Sequence, residues 1–216
     1  QGPLAPVIEW TDEPDRGCSR VKICTWDRAG LFSKLAGSCT AAGLNILSAQ
    51  VFTRRDRIIL DAFDVTSARS GLLATPEEKE KFKQLFGKSL MGALDFEPLI
   101  ARQKIVNPLY QSYTGERIAT EIAFDNHSAD TRTVVDVQTE DRVGLLYTLS
   151  QTLSELGLDI SVAKISTEMG AAVDSFYVSE QNGNRVLSPV RQHTIEARLR
   201  TALLNFDQRA GLAAKR

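Results

Sequence analysis

Histidine and cysteine are scarce in this sequence of 216 residues, which contains only two histidines and three cysteines. Zinc sites in proteins are built mainly from these two side chains, so their scarcity argues against a structural zinc centre. The cysteines, Cys18, Cys24 and Cys39, are odd in number and form no C-x-x-C pair. We therefore expect no disulfide framework, and we expect a reducing, cytoplasmic compartment.

An excess of charge of one sign is also lacking, because the formal net charge is −1. The composition therefore gives no reason to expect a nucleic acid or an anionic membrane as a partner. No apolar run approaches the ~18 residues that a membrane span needs, and no signal-peptide pattern is present. The sequence begins Gln1-Gly2-Pro3 without a methionine, from which we expect a fragment of a longer protein.

Recognisable catalytic motifs are missing. The sequence shows no Ser/His/Asp or Cys/His set and no Walker-type glycine loop, and Gly37-Ser38 has no D-x-D beside it. We therefore expect that this stretch is not itself an enzyme and holds no cofactor.

An internal repeat is what the sequence does contain, and a repeat decides the fold assignment. The motif Asp-Arg-x-Gly-Leu returns 114 residues after its first occurrence, followed in both copies by Gly-Leu-Asn/Asp-Ile and Asp-x-Phe-x-Val. The paired segments are 27–31 with 141–145, 43–46 with 157–160, and 61–65 with 174–178. The register persists through the repeat with the loss of one residue, so the chain carries one unit twice.

Each copy has apolar periodicities that predict the element order ββαββα. Thr75-Pro76 and Ser188-Pro189 are typical helix starts, and Gly43 and Gly157 stand where a helix ends in the left-handed conformation. This order is a circular shift of βαββαβ. We predict the α+β class, with two ferredoxin-like sandwiches in tandem. Each has a four-stranded antiparallel sheet with two helices on one face, and the early strand fills the free edge of the sheet.

The predicted boundaries follow from the repeat. The first unit takes residues 1–92 and the second takes residues 118–206. A linker with a short helix from Glu97 to Lys104 occupies residues 93–117, and a tail occupies residues 207–216. The final helices are predicted to end near Leu90 and Leu204.

The repeated loop has the chemistry of a small-ligand site. Asp27 and Asp141 precede a helix, whose first turn offers unpaired amides and the positive end of the dipole. Gly30 and Gly144 let a ligand carboxylate approach the backbone, and the nearby Asp carboxylate can hold an α-ammonium group. Together these features predict a site for a free amino acid, with Asn45 and Asp159 supplying further acceptors.

Simpler interpretations remain open. Asp27 and Asp141 can serve only as helix caps, and spacing alone favours that reading. Asp61 and Asp174 lie within apolar strands, where a functional carboxylate is conceivable but pairing with a strand-end arginine or exposure to solvent is favoured. Residues 54–57, Arg-Arg-Asp-Arg, are interpreted as a solvated hairpin tip.

These motifs resemble the ACT domain, a small amino-acid-binding regulatory module. More narrowly, residues 43–53, 136–147 and 163–167 are similar to the C-terminal tandem ACT region of the bacterial PII uridylyltransferase/uridylyl-removing enzymes. The similarity covers nearly the whole chain. It departs from the family pattern at the x of Asp-Arg-x-Gly, which is often proline and is Ala29 or Val143 here.

The resemblance implies a function and a set of partners. The parent enzyme would attach UMP to the nitrogen-signalling protein PII and remove it, using UTP and Mg²⁺ in catalytic domains upstream of this stretch. Glutamine binding to the ACT region would shift the balance toward removal, and ACT units would pair within or between chains. The ligand-binding residues that it implies are Asp27, Arg28, Gly30, Leu31, Asn45, Ile46, Asp141, Arg142, Gly144, Leu145, Asp159 and Ile160.

Two other functions fit the same sequence. The chain can be a stand-alone tandem-ACT regulator that acts through a partner, or a structural dimerisation module whose loops bind nothing. The sequence also leaves open which of the two loops binds, since the copies differ at Asn45 and Asp159.

Overall fold

A computed structural model describes residues 5–52, 58–92, 94–106, 118–168 and 171–213. The first unit consists of β1 (Val7–Glu13), β2 (Cys18–Trp26), α1 (Leu31–Ala42), β3 (Leu44–Gln50), β4 (Ile58–Ser67) and α2 (Pro76–Met91). A helix in the linker, α3, spans Glu97–Val106. The second unit consists of β5 (Glu121–Asp125), β6 (Thr133–Glu140), α4 (Leu145–Glu155), β7 (Leu158–Glu168), β8 (Ala171–Glu180) and α5 (Pro189–Ala213). The predicted order ββαββα is confirmed in both units.

Each unit forms a four-stranded antiparallel sheet, with strand order β1-β2-β4-β3 in the first and β5-β6-β8-β7 in the second. The early strand of each unit therefore lies at the sheet edge, as predicted. The copies even share an irregularity, because the pairing register shifts after Ile46 in β3 and after Ile160 in β7. The tandem ferredoxin-like fold class is confirmed.

The helix boundaries follow local chemistry. Thr75 starts α2 with a reciprocal capping box, in which its hydroxyl accepts from the Glu78 amide and the Glu78 carboxylate accepts from the Thr75 amide. Gly43 ends α1 at a φ of 92°, in the left-handed region that glycine adopts without steric cost. The predicted end of the last helix near Leu204 was wrong, because α5 continues to Ala213 and includes most of the predicted tail.

The linker helix was correctly predicted, and it packs onto the first unit. Ile100 is buried, and the Gln103 side-chain amide donates to the Ala41 carbonyl at 3.1 Å. The Phe96 ring, just before α3, lies so close to Gly37 that a Cβ on this glycine would come within 2.8 Å of it. Gly37 is therefore a packing residue in the middle of α1. The rest of the predicted linker, residues 107–117, lies outside the described residues.

The two units pack against each other through α1 with α4 and β3 with β7. Phe32 of α1 stacks on Phe63 and also meets the edge of Phe176 in the second sheet, with ring centroids 6.5 Å apart. One hydrophobic core spans both units. The pairing of ACT-like units expected from the resemblance occurs within this chain. Across the described residues, no helix has the length and apolar character of a membrane span.

Candidate ligand cavities between the two units

The repeated loops do not cap their helices through aspartate. Gly30 is the N-cap of α1 at a φ of 67°, Gly144 is the N-cap of α4 at a φ of 89°, and neither helix start has a side-chain cap bond. Asp27 makes no capping bond within the described residues, so its interpretation as a helix cap was wrong, and Asp141 is not the N-cap residue of α4. Glycine is favoured at both positions because it adopts a positive φ without the steric cost that a Cβ atom would bring. At Gly30 a Cβ would also meet the Ser154 hydroxyl at 3.1 Å.

Only part of each helix start is available for a ligand. The amide of Leu31 donates to the Arg28 carbonyl at 3.0 Å, and the amide of Leu145 makes the equivalent bond to Arg142. The Leu31 and Leu145 side chains are buried at the inner ends of the loops. The next amides of α1, those of Phe32 and Ser33, have no hydrogen-bond partner within the described ranges. A carboxylate at this helix start would be bound by these two groups.

The loop and the strand start of one unit do not form a common site. Helix α1 has 12 residues, so it separates Gly30 from Asn45 by about 18 Å at 1.5 Å per residue. The structure instead places Asp159 and Ile160 of the second unit beside the loop that follows Asp27. Asn45 and Ile46 of the first unit lie beside the loop that follows Asp141. Each candidate site is thus assembled from both units.

The first cavity, which we call the Asp27 cavity, has a volume of about 340 Å³. This volume lies within the range of small-molecule sites, roughly 300–1,000 Å³. It brings together six residues of the predicted set, four from the first loop and two from the opposite strand start, and adds walls from both sheets. Its lining includes Asp27, Arg28, Gly30, Leu31, Asp159, Ile160, Val51, Ile59, Asp61, Arg132, Ser154 and Glu180.

The second cavity, which we call the Asp141 cavity, is nearly closed, with a volume of about 40 Å³. This is of the order of one water molecule, whose share of liquid volume is about 30 Å³. It also combines the predicted loop residues of the second unit with the predicted strand-start residues of the first unit. Asp174 of β8 lines it as well. Its lining includes Asp141, Arg142, Gly144, Leu145, Asn45, Ile46, Thr40, Val143 and Asp174.

Asp61 and Asp174 lie at the inner ends of the two cavities. Both are 2% exposed, and within the described part of the chain neither has a lysine or arginine at ion-pair distance. The favoured interpretation, pairing with arginine or exposure to solvent, was therefore wrong. Burial raises the pKa of Asp61 to about 7, opposed by the Phe52 amide and reinforced by the charge of Asp27. Burial likewise raises the pKa of Asp174 to about 8.

The arginines of the loops are held by the backbone. Arg28 donates to the Leu90 carbonyl at the end of α2, over 3.1 Å. Arg142 donates to the Glu140 carbonyl at 3.2 Å, and burial lowers its pKa. These contacts fix the loop positions, which is a structural role that the spacing of the motif did not reveal.

Several residues of the Asp27 cavity escaped prediction. Arg132 donates through Nε to the Ser161 hydroxyl at 3.0 Å, and Glu180 accepts from Arg191 of α5 at 2.8 Å. Ser154 reaches the cavity from the end of α4. All three come from the second unit, so a search confined to the neighbourhood of Asp27 in the sequence could not find them. The length of α1 was the signal that could have found them, because it separates the loop from the strand start of its own unit and so requires the other unit to complete the site.

Other features of the described residues contribute less. A groove of about 780 Å³ runs between α3, α4 and α5, but no predicted ligand residue lines it. His127 and His193 are exposed. No cluster of three histidine, cysteine or acidic side chains suited to a metal ion occurs in the described ranges. The arginine-rich turn at 54–57 lies outside them.

Comparison with known proteins identifies the fold. Residues 121–207 match the family described as the ACR9-like, ACT-like domain. The second unit is an ACT-like domain. The first unit has the same element order and the same strand order, so it shares the fold of the second unit. The predicted resemblance to the ACT domain is confirmed.

The whole chain is similar to bifunctional uridylyltransferase/uridylyl-removing enzymes. It is 30% identical over 200 residues to that of Rhodospirillum rubrum, covering 93% of this chain and 21% of the relative. It is 36% identical over 189 residues to that of Azospirillum brasilense, covering 87% and 20%. For the enzyme of Gluconobacter oxydans the identity is 33% over 206 residues, covering 93% and 21%. The chain thus spans about one fifth of the length of these relatives.

Proposed function

We propose that this ACT-like pair is the amino-acid-sensing regulatory part of a cytoplasmic bifunctional uridylyltransferase/uridylyl-removing enzyme, with glutamine as the favoured ligand. In this proposal the ligand controls the modification of the PII protein by catalytic domains elsewhere in the parent protein. Those domains would use UTP and Mg²⁺. The similarity to the named enzymes over most of the chain supports the regulatory context.

The Asp27 cavity is the observation that carries the proposal. It offers two amides at the start of α1 that have no partner among the described residues and can bind a carboxylate, and it offers acids for an ammonium group. Asp27 itself has no recorded hydrogen bond or ion pair within the described residues, although it is half-buried. A purely structural module has no use for an open cavity with polar groups of both signs at the contact between its units.

A thermal-shift screen of the twenty amino acids tests this function. A ligand that binds only the folded chain stabilises it, by about 2.7 kcal/mol at a hundredfold excess over Kd. We expect L-glutamine at millimolar concentration to raise the Tm. An unchanged Tm with every amino acid would contradict the sensing function.

The variant Asp27→Ala separates sensing from stability. Because Asp27 is not a cap and lies near other acids, its removal should change the Tm of the ligand-free chain little. It should lower the affinity for glutamine at least tenfold, since a charge-assisted hydrogen bond contributes about 1.5–3 kcal/mol. The matched variant Asp141→Ala should have the smaller effect on affinity, because the Asp141 cavity is nearly closed. Equal losses in both variants would contradict the assignment of the ligand to the Asp27 cavity.

A further inference from the structure

Asp61 interrupts a row of core residues. It lies on β4 between Ile59 and Phe63, which are 2% and 0% exposed, and its partner across the sheet is Ile23. A carboxyl group in such a row is costly to bury in its charged form. The twin residue Asp174 repeats the arrangement on β8, beside Phe176. An acid placed twice at the same point of an apolar row calls for an explanation other than packing.

The contacts of Asp61 within the described residues leave one oxygen for a ligand. Oδ1 accepts from the Phe52 amide at 3.2 Å, and no other hydrogen bond to Asp61 is recorded. The carboxyl group lines the same cavity as Asp27, whose charge helps to raise the pKa of Asp61 to about 7. Without a ligand, this buried acid therefore carries a proton for much of the time near neutral pH.

The positively charged side chains of the cavity are engaged elsewhere, so a cationic ligand group would find acids there that these side chains do not neutralise. Glu180 is paired with Arg191, and the two arginines of the cavity are engaged by oxygen atoms outside it, Arg28 by Leu90 and Arg132 by Ser161. The remaining acids come from the first loop and from β7. The charged residues that face the cavity beside Asp61 are Asp27, Arg28, Arg132, Asp159 and Glu180.

We infer that Asp61 is a ligand-binding residue of the Asp27 cavity. Its carboxylate binds the α-ammonium group of the amino acid, and its proton leaves when the ligand enters. The inference rests on the proposed function. It adds Asp61 to the residues that bind the amino acid, and it adds the release of a proton to the binding step. The step is non-covalent. The proton passes from the Asp61 carboxyl group to the solvent, and the ammonium group takes its place as the positive partner of the oxygen.

Proton release on binding follows from this exchange. At pH 6 the acid is mostly protonated, so each binding event should release nearly one proton, and about half a proton at pH 7. As the pH rises toward 7, the affinity should increase by up to about tenfold for each pH unit, and it should level off above pH 7. A neutral Asp61 that donates to a ligand oxygen would give the opposite sign, with proton uptake and weaker binding at high pH.

Isothermal titration of the full chain with L-glutamine measures this exchange. Titrations at pH 6, 7 and 8 in pairs of buffers with different ionisation enthalpies give the number of protons released, and stay below the pH at which glutamine loses its own ammonium proton. Proton release that declines from pH 6 to pH 8 supports the inference. Uptake, or no exchange at pH 6, would overturn it without the need for any variant.

Two matched variants locate the proton. In Asp61→Asn the release should vanish, and the affinity at pH 8 should fall at least tenfold. Asp174→Asn removes the equally buried twin, and the release should persist. If the release is lost in Asp174→Asn and kept in Asp61→Asn, the ligand does not use Asp61 and the inference is wrong.

These outcomes are distinct from a failure of the proposed function. In that case, the wild-type chain would bind no amino acid at any pH. Glutamine binding of unchanged affinity and unchanged proton release in Asp61→Asn would leave the sensing function standing and remove only the role of Asp61.

Discussion

The two cavities come from the same repeat, yet one has a volume of about 340 Å³ and the other about 40 Å³. At three wall positions the smaller cavity carries the larger residue of the repeat pair, one of which is Ile165 in place of Val51. Val143 stands where the open cavity has Ala29, and Thr40 stands where it has Ser154. Ala172 is smaller than its counterpart Ile59, so the closure is not a simple sum of side-chain sizes. A duplicated binding motif therefore does not imply two equivalent sites.

The largest expected effect concerns the core that both units share. Phe32→Ala removes a ring that packs on both sheets and is 5% exposed, which should lower the free energy of unfolding by about 3–5 kcal/mol. Because one core spans both units, the variant should still unfold in a single transition. Urea unfolding followed by circular dichroism measures both properties, and a separate transition for each unit would contradict the shared core.

Stability should depend on pH through the two buried acids. Their pKa is raised in the folded chain above the unfolded value of about 3.9. Their contribution to stability is therefore complete below that value and is lost as the pH rises through about 7 for Asp61 and about 8 for Asp174. The loss should be about 2–4 kcal/mol for each acid.

Urea unfolding between pH 5 and pH 9 checks this dependence. Asp61→Asn should remove the part of the decline that ends near pH 7, and Asp174→Asn the part that ends near pH 8. Asp64→Asn is a control of opposite sign, because the hydrogen bond from Arg20 lowers the pKa of Asp64. The contribution of Asp64 should be lost only on acidification below about pH 4. A wild-type stability that stays flat from pH 5 to pH 9 would contradict the buried-acid account.

The smallest effect tests the cause of the volume difference. Val143→Ala with Thr40→Ser gives the Asp141 cavity the residues of the other cavity at one loop position and one wall position. We expect a second, weaker glutamine site to appear in calorimetry, while the first keeps its affinity to within about twofold, or ~0.4 kcal/mol. The reciprocal pair, Ala29→Val with Ser154→Thr, should weaken the first site. A stoichiometry that stays at one in the first double variant would show that other walls close this cavity.

Much of the fold could be predicted from the sequence because its signals are local. The capping box at Thr75 and the left-handed Gly43 need only their neighbours in the chain, and the repeat fixed the element order. The end of α5 was missed, because the sequence between Leu204 and Ala213 contains no proline to stop a helix and its only glycine falls late.

The site could be predicted only in part. The motif indicated the loop residues that line the cavities. Whether they face Asn45 or Asp159 depends on which unit packs on which, and no local pattern carries that information. The state of Asp61 was misjudged for a related reason. An acid in a strand is normally exposed or paired, and only the position of the second unit shows that this one is covered and faces a cavity.

The crossed assembly of the cavities has a consequence for how the repeat can diverge. A single copy of this unit could form the same site only by meeting a second identical chain around a twofold axis, and both sites would then be the same. Joining the copies in one polypeptide removes that constraint. Each half can accept changes that adjust one pocket and leave the other alone, so the fusion itself is what permits one occupied and one silent site.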